Sequence, residues 1–335
     1  MAQELNVLRD RGLATDSLER NRNPVSVDTS KWLLTNILCA TVIASMAAAA
    51  ERCEIVFTDS QAAVLHANAV TGDQGIVTRE NKLVQPFGIA VGRGGELFVS
   101  DTGCASLLRI DPATQTQAVL ACGETLGVPF GIALERSGTI LVANAKALLR
   151  VDPSSATPAV VSAPGLAQSL FQYPLAVTVA ENGDIFVADA LGPIFRVDPN
   201  TGAQTLIASG GYLQRPQGIA VKGHNLYVTD VATPDMNFGV GRIIRIDLNT
   251  CQQSELSKGR NLLGPVGIAI EPDGDLIIGD PYTINPDRHE ADGGPAFDGA
   301  IIRIDKNTGY QHVIARGSYN FVNPRGVALL PSQAN

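Results

Sequence analysis

A five-residue phrase that recurs six times constrains the fold of this chain more than any other feature. Its copies are Pro86-Phe-Gly-Ile-Ala, Pro129-Phe-Gly-Ile-Ala, Pro174-Leu-Ala-Val-Thr, Pro216-Gln-Gly-Ile-Ala, Pro265-Val-Gly-Ile-Ala and Pro324-Arg-Gly-Val-Ala. Successive prolines are 43, 45, 42, 49 and 59 residues apart. A period of this length, built from short apolar runs, indicates a β-propeller.

Each phrase begins a longer repeat that reads as four strands. A second apolar run follows and ends in an acid or an amide, at Asp59, Asp101, Asn144, Asp189, Asp230 and Asp280. A third run carries a basic side chain, at His66, Arg109, Arg150, Arg196, Arg245 and Arg303. A polar turn then leads to a fourth run. Alternating apolar positions bounded by Gly, Asp and Asn predict strands and hairpins, and four such strands make one blade.

The two ends of the repeat region predict how the ring closes. Residues 54–59 match a second strand and have no first strand before them, whereas the last phrase, at Pro324, has no second strand after it. Pairing these ends removes an exposed sheet edge. The sequence therefore predicts an all-β, six-bladed β-propeller with four-stranded blades over residues 53–331. Its C-terminal strand completes the N-terminal blade.

The first fifty residues differ in character from the repeats. A polar extension over residues 1–31 ends at Lys31, and residues 32–50 are apolar and finish in consecutive alanines. This pattern is typical of a secretory signal peptide, with an uncleaved anchor as the alternative. Both interpretations predict a secreted or periplasmic propeller, and the membrane is a partner only if residues 32–50 stay uncleaved.

The charge balance limits the partners. The chain has 25 basic and 33 acidic side chains, a net charge of −8. Nucleic-acid binding requires basic surface to neutralise phosphates, so we expect no nucleic-acid partner.

The cysteines suggest at most one disulfide. Cys104 and Cys122 fall at the same end of one predicted blade, which would allow a bridge in an oxidising compartment, whereas Cys53 and Cys251 are predicted to be free. No cysteine pair has the close spacing of a metal site, and we assign no metal ligand.

The strand order predicts which face carries a site. The residue after each phrase proline and the acid that ends each second strand should lie on one face, together with the connections from second to third strands. Two of these connections are long, at residues 231–240 and 281–298. Insertions on one face of a repeat fold usually mark a binding face, although solvated surface loops are the alternative.

Several residues on that face are candidates for a site. The residues that follow the prolines would form the mouth of the ring, at Phe87, Phe130, Leu175, Gln217, Val266 and Arg325. An apolar mouth with a few polar groups is typical of a ligand site. The predicted ligand-binding residues are Phe87, Phe130, Gln217, Asp230, Tyr282 and Arg325. The predicted catalytic residues, if the protein is an enzyme, are Arg325, His289 and Asp280.

These candidates have specific chemical roles and a structural alternative. Arg325 would hold an anionic group. His289, which lies among carboxylates in the second insertion, would act as a general base or form a weak metal site, with an ordinary polar loop as the alternative. However, the second-strand acids recur in every repeat. This recurrence favours a structural role in which they accept hydrogen bonds from backbone N–H groups. The repeated arginines are likewise expected to pair with neighbouring blades.

The phrase Pro-x-Gly-Ile-Ala, the run Leu-Phe-Val-Ser-Asp101 and the run Arg-Ile-Asp-Pro112 resemble the NHL-repeat propellers and their relatives. Those relatives include gluconolactonase and senescence-marker lactonases, the peptide-amidating lyase and the streptogramin lyases. The resemblance covers nearly all of the chain after residue 53 and implies the propeller fold. The enzymatic relatives use Glu, Asn, Asp or His as metal ligands near the mouth, where this chain has mostly Phe, Leu and Val. The streptogramin lyases carry a Trp in a second strand, whereas Trp32 is the only Trp here.

Two functional hypotheses follow from the sequence. The first is an exported NHL-like propeller that binds a small molecule, a glycan or a protein on the face bearing the 231–240 and 281–298 insertions. The alternative is an enzyme of lactonase, lyase or cyclase type with its site at the mouth. The sequence leaves the cofactor open, with calcium as the candidate metal, because sites made only of oxygen ligands leave little spacing pattern.

Overall fold

A computed structural model describes residues 54–163, 170–232, 240–289, 295–317 and 323–330, all within one compact unit of residues 49–335. The predicted extension 1–31 and the apolar segment 32–50 lie outside the described residues. No helix long and apolar enough to cross a membrane occurs in the part of the chain that the structure describes.

The described residues form six antiparallel four-stranded sheets arranged in a ring, as the repeat predicts. Blade 1 contains β24 (Pro324–Leu330), β1 (Glu54–Asp59), β2 (Ala63–Asn68) and β3 (Gln74–Arg79). Blade 2 contains β4 (Pro86–Val91), β5 (Leu97–Asp101), β6 (Ser106–Asp111) and β7 (Thr116–Cys122). Blade 3 contains β8 (Pro129–Leu134), β9 (Ile140–Asn144), β10 (Leu148–Val151) and β11 (Pro158–Ser162).

The other three blades repeat this order. Blade 4 contains β12 (Pro174–Val179), β13 (Ile185–Asp189), β14 (Ile194–Val197) and β15 (Gln204–Ala208). Blade 5 contains β16 (Pro216–Lys222), β17 (Asn225–Ala232), β18 (Val240–Asp247) and β19 (Gln253–Lys258). Blade 6 contains β20 (Gly267–Ile270), β21 (Leu276–His289), β22 (Pro295–Ile304) and β23 (Gln311–Arg316).

The ring closes through β24, as the sequence predicts. This strand pairs antiparallel with β1, with Glu54 opposite Leu330 and Phe57 opposite Val327. The C-terminal strand is therefore the innermost strand of the blade that holds β1, β2 and β3, and closure leaves no gap between the first and last repeats.

The hydrophobic core lies between neighbouring blades. One cluster joins Ile55 and Leu65 of blade 1 to Ile277 and Ile301 of blade 6, and all four side chains are fully buried. The second strands lie between a first and a third strand and carry apolar side chains on both faces, so every residue of β5 is buried. A single blade cannot cover both of its faces, and the blades therefore stabilise one another.

Close approach around the axis explains the glycine of the repeated phrase. A Cβ atom placed on Gly88 of blade 2 would lie 2.6 Å from the carbonyl oxygen of Phe130 in blade 3. At three such junctions between neighbouring blades, a hydroxyl group from a second strand connects the two inner strands by hydrogen bonds. In blade 1, Thr58 Oγ1 accepts the Gly326 N–H at 2.8 Å and donates to the Phe87 carbonyl of blade 2 at 2.6 Å.

The second insertion differs from the predicted loop. Strands β21 and β22 continue beyond the blade and pair as a hairpin, with Thr283 opposite Asp298 and Ile284 opposite Phe297. The alternation of residues along this segment, with Thr283 and Asn285 buried and Tyr282 and Ile284 exposed, accounts for the strand. In the first insertion, residues 233–239 lie outside the described residues.

The allowed disulfide does not form in this structure. Cys104 and Cys122 are both free, exposed thiols, as is Cys251, which was predicted to be free. Cys104 lies in the turn before β6, whereas Cys122 ends β7 opposite Ser106. Cys53 lies outside the described residues.

We expect removal of β24 to abolish cooperative folding, because it exposes the inner edge of β1 and leaves the axis incomplete. A chain that ends at residue 322 should lack the thermal unfolding transition of the full-length protein, measured by far-ultraviolet circular dichroism. The matched control ends at Leu330 and should keep that transition. Equal midpoints for the two truncated chains would contradict the role assigned to β24.

Candidate functional site

The strand pairings define the face on which the predicted site lies. The phrase proline pairs with the acid or amide that ends the second strand, as in Pro86 with Asp101 and Pro216 with Asp230. This confirms that both groups lie on one face, called here the upper face. It carries the connections from second to third strands and from each blade to the next, and the lower face carries the remaining turns.

The acids that end the second strands are structural anchors. Asp101 is fully buried and accepts the backbone N–H groups of Val84 and Gln85 from the preceding loop and those of Gly103 and Cys104 from the following turn. Asn144 replaces the acid in blade 3, and its amide donates to the Leu126 carbonyl at 3.0 Å. These contacts confirm the structural interpretation and extend it to the preceding loop.

Asp280, a predicted catalytic residue, belongs to this set. It is fully buried and accepts the N–H groups of Leu263 at 2.8 Å, Gly264 at 3.0 Å and Tyr282 at 2.9 Å. Burial raises its pKa from 3.8 to about 6, although these three hydrogen bonds act in the opposite direction. A carboxylate that is sealed from solvent and occupied by backbone donors is poorly placed to contact a substrate.

Asp230, a predicted ligand-binding residue, is placed in the same way. It is fully buried and accepts the N–H groups of Gln214 and Arg215, each at 2.8 Å. Burial raises its pKa, and these two hydrogen bonds and the Arg242 guanidinium partly offset that effect. The Arg242 Nε lies 4.0 Å from the Asp230 carboxylate.

Four side chains form a continuous arc at the mouth of the ring. The Arg325 guanidinium lies 5.8 Å from the centre of the Phe87 ring, within the range of a cation–π contact. The Phe87 ring meets the Phe130 ring edge to face at 5.4 Å, and Phe130 meets the Tyr173 ring at 5.5 Å. Arg325 Nε is buried and has no hydrogen-bond partner among the described residues. The structure thus brings together three of the predicted residues.

Tyr173 was not predicted to belong to the site. It directly precedes the phrase proline Pro174, a position that the topology places on the upper face of every blade. The prediction considered only the residue after each proline. An aromatic residue directly before a phrase proline was the signal available in the sequence.

The channel below the mouth is narrow. Inner strands of all six blades line it, and Gln217 and Val266 lie near its upper end. Its volume is about 70 Å³, whereas cavities that enclose small organic ligands span about 300–1,000 Å³. A ligand of ordinary size must therefore bind on the mouth and not within the channel.

The upper face carries most of the large exposed hydrophobic side chains. Nine of the fifteen among the described residues lie in its loops and strand ends: Val84, Val128, Leu170, Tyr173, Leu191, Tyr212, Val240, Tyr282 and Ile284. Tyr282, a predicted ligand-binding residue, is 37% exposed at the base of the long hairpin. His289 ends β21, and the placement of its side chain lies outside what the structure describes.

The accessible charges on the upper face are mostly basic. Among the described residues, its loops and strand ends expose wholly or partly Arg79, Lys82, Lys146, Arg215, Arg242, Lys258, Arg260, Arg316 and Arg325. The accessible acids there are Glu80, Glu124 and the partly exposed Glu255, whose carboxylate pairs with Arg242 and Lys258.

The repeated arginines lie toward the lower face, and two of them confirm the expected contact with a neighbouring blade. Arg150 donates to the Pro199 carbonyl and Arg303 to the Ala69 carbonyl, each in the next blade. The carboxylates that pair with Arg150 and Arg196 lie in the same blade, at Glu135 and Asp184. His66 takes the place of the arginine in blade 1 and pairs with Glu54.

One group of carboxylates in the described residues is close enough to share a cation. Glu271, Asp273 and Asp275 lie in the lower-face turn of blade 6. The Glu271 carboxylate is already paired with Arg303, and the Lys306 ammonium donates to the Asp273 carbonyl. Arg303 therefore already neutralises one of the three carboxylates, and Lys306 places a second positive charge beside the group.

Comparisons with known proteins agree on the fold. No protein-family model and no curated protein matches the chain. Among solved structures, 1070 chains match, so the architecture is a common one. One is a chain in the crystal structure of a nidogen/laminin complex, with a TM-score of 0.65 and 14% sequence identity. That match covers 84% of this chain and 99% of the other. At this identity the likeness shows the β-propeller fold alone.

The raised pKa of Asp280 predicts a pH dependence of stability. Between about pH 4 and pH 6 the native state holds a proton on Asp280 that the unfolded chain releases. Its contribution to the free energy of unfolding is therefore full below about pH 4 and is lost as the pH rises through about 6. We expect urea titrations to show the stability of the wild type relative to Asp280→Asn falling by up to about 3 kcal/mol over this range.

Asp111 provides a control of opposite sign. It is exposed, and its pKa is lowered by hydrogen bonds from the Thr114 side chain and from the backbone of Ala113 and Thr114. Its contribution to the free energy of unfolding is present above its ordinary pKa of 3.8 and is lost as the pH falls below that value. The stability of the wild type relative to Asp111→Asn should therefore stay nearly constant between pH 4 and pH 6. A wild-type advantage over Asp280→Asn that stays constant or rises between pH 4 and pH 6 would show that the Asp280 pKa is not raised.

Proposed function

We propose that this protein is a binding propeller whose upper face recognises a protein partner. The observation that carries the proposal is the arc of Arg325, Phe87, Phe130 and Tyr173, which lies at the mouth within a face rich in exposed apolar side chains. Aromatic and arginine side chains dominate the energetics of protein interfaces. A surface of this kind favours a partner that is apolar with an acidic component.

The Arg325 guanidinium supports this function. The residue is partly exposed, and a carboxylate or carbonyl group from a partner would accept hydrogen bonds from the accessible part of the guanidinium. The Phe87 ring holds the guanidinium at the mouth, so little side-chain freedom is lost on binding. Arg325 is thus suited to be the central polar contact of an apolar interface.

The comparison with the nidogen/laminin complex is consistent with a protein partner, because that propeller chain was solved in a complex of two proteins. We also propose that the chain is exported and related to the NHL-repeat propellers. The apolar segment 32–50 and the repeated Pro-x-Gly-Ile-Ala phrase support these proposals.

The enzyme alternative receives less support from the described residues. The channel is small, and Asp230 and Asp280 are both buried, with backbone N–H groups on both oxygens of Asp280 and on one oxygen of Asp230. A lactonase, lyase or cyclase would need a substrate cavity with accessible ionisable groups at the mouth.

A tyrosine pair on opposite faces tests the binding surface. Tyr173 lies in the arc and is 39% exposed, whereas Tyr310 lies in a lower-face turn and is 62% exposed. Immobilised full-length wild type, Tyr173→Ala, Arg325→Ala and Tyr310→Ala would be incubated with the protein fraction of the native source. We expect at least one protein to be retained by the wild type and Tyr310→Ala and lost from both upper-face variants.

The affinity of the purified partner then gives the magnitude. Tyr173→Ala or Arg325→Ala should weaken binding by about 10- to 100-fold, as expected for a central interface residue, with an unchanged thermal midpoint. The proposal is overturned if no protein is retained specifically, or if Tyr310→Ala weakens binding as much as the two upper-face variants do.

A further inference from the structure

A cavity on the lower face is large enough for a small molecule. It lies between blades 4 and 5 and has a volume of about 380 Å³, within the usual range of about 300–1,000 Å³ for ligand sites. Its walls combine apolar side chains with one basic and two acidic ones: Ala180, Phe186, Ile207, Val221 and Leu248 are apolar, and Arg196, Glu181 and Asp184 are charged. The exposed residues Asn182, His224 and Asn249 form its rim.

This cavity lies beside a position where two other blades carry a glutamate. Ala180 follows the first strand of blade 4, and the equivalent residues are Glu135 in blade 3 and Glu271 in blade 6, whereas the other three blades have no acid there. The three turns have the same backbone geometry. Each of these residues receives a backbone hydrogen bond at 2.9 Å from a glycine three positions later, with φ values of +91°, +91° and +101° at those glycines.

The two glutamates show what the missing side chain does. The Arg150 Nε and Nη2 donate to the two oxygens of Glu135, each at 2.7 Å. The Arg303 guanidinium binds Glu271 in the same two-point manner, at 2.6 and 3.0 Å. Both arginines also donate to a carbonyl of the next blade. Two-point arginine–carboxylate pairs are among the strongest polar contacts in proteins.

Arg196 occupies the same repeat position in blade 4 without this partner. It has one ion pair, with Asp184 at 3.1 Å, and no other polar contact among the described residues. Its side chain is 54% exposed, compared with 10% for Arg303. The Asp184 contact engages one nitrogen, so the remaining N–H groups of Arg196 can bind a second carboxylate.

We propose that this cavity binds a small organic monocarboxylate with an apolar body. The ligand carboxylate takes the place of the missing glutamate and accepts hydrogen bonds from Arg196, and the apolar body packs against Phe186, Ile207 and Leu248. The neighbouring carboxylates of Asp184 and Glu181 repel every anion, so a ligand with a single negative charge is opposed least. The site is on the opposite face from the proposed protein-binding surface and does not depend on it.

Hexanoate and hexanamide form a matched pair of probes, because they share an apolar chain and differ in charge. Binding to the full-length protein would be measured by ligand-observed nuclear magnetic resonance titration. We expect hexanoate to bind and hexanamide to bind at least about 10-fold more weakly, since charged hydrogen bonds are roughly twice as strong as neutral ones. The proposal is overturned if hexanoate does not bind or if hexanamide binds equally well.

Three variants locate the site. Ala180→Glu supplies the carboxylate from the chain itself and should abolish hexanoate binding while raising the thermal midpoint. Arg196→Gln should weaken hexanoate binding by at least about 10-fold. Arg245→Gln removes the arginine of the same repeat position in blade 5, which does not line the cavity, and should leave the affinity unchanged.

Ala180→Leu provides a further test that needs no new ion pair. Its side chain reduces the cavity without adding charge, and we expect it to weaken hexanoate binding. Unchanged hexanoate affinity in both Arg196→Gln and Ala180→Leu would overturn the proposal, as would an equal loss of affinity in Arg245→Gln.

Discussion

The rest of the structure depends on how closely the six inner strands approach one another around the axis. A Cβ atom on Gly131 of blade 3 would lie 2.8 Å from the Ala176 Cα of blade 4, and similar clashes arise at the phrase glycines of four other blades. Real Cβ atoms do not approach this closely, so these positions require glycine. The glycine of the phrase is therefore a packing requirement, and the hydroxyls of Thr58, Ser100 and Thr229 strengthen three of the junctions.

This close approach determines where a ligand can bind. It reduces the channel to about 70 Å³, which leaves the upper loops and the grooves between blades as the accessible places. On the upper face, Arg325, Phe87 and Phe130 from blades 1, 2 and 3 form one surface with Tyr173, which lies in the connection into blade 4. Each of these residues comes from a different segment of the chain, so their side chains meet only because the blades are arranged in a ring.

The sequence was sufficient to predict the blade number, the strand order, the closure by β24 and the face on which the phrase residues lie. These features depend on a repeat that is visible in the chain. The burial of Asp280 and the contact of Tyr173 with Phe130 were not predictable in the same way, because they depend on distances between side chains that are far apart in sequence. The hairpin over Thr283 and Asn285 could have been recognised from its alternation, which the interpretation as a loop overlooked.

The repeat also provides internal references for function. Glu135 and Glu271 show how two blades complete their lower edge, and the comparison with Ala180 shows what blade 4 lacks relative to those two without any other protein for comparison. Blade 4 departs from the repeated phrase at Ala176, where five blades have glycine. The upper mouth and the lower cavity are separated by the length of a strand, about 17–20 Å for five or six residues. With a closely packed axis between them, the two surfaces can change independently, and one propeller can carry two unrelated binding sites.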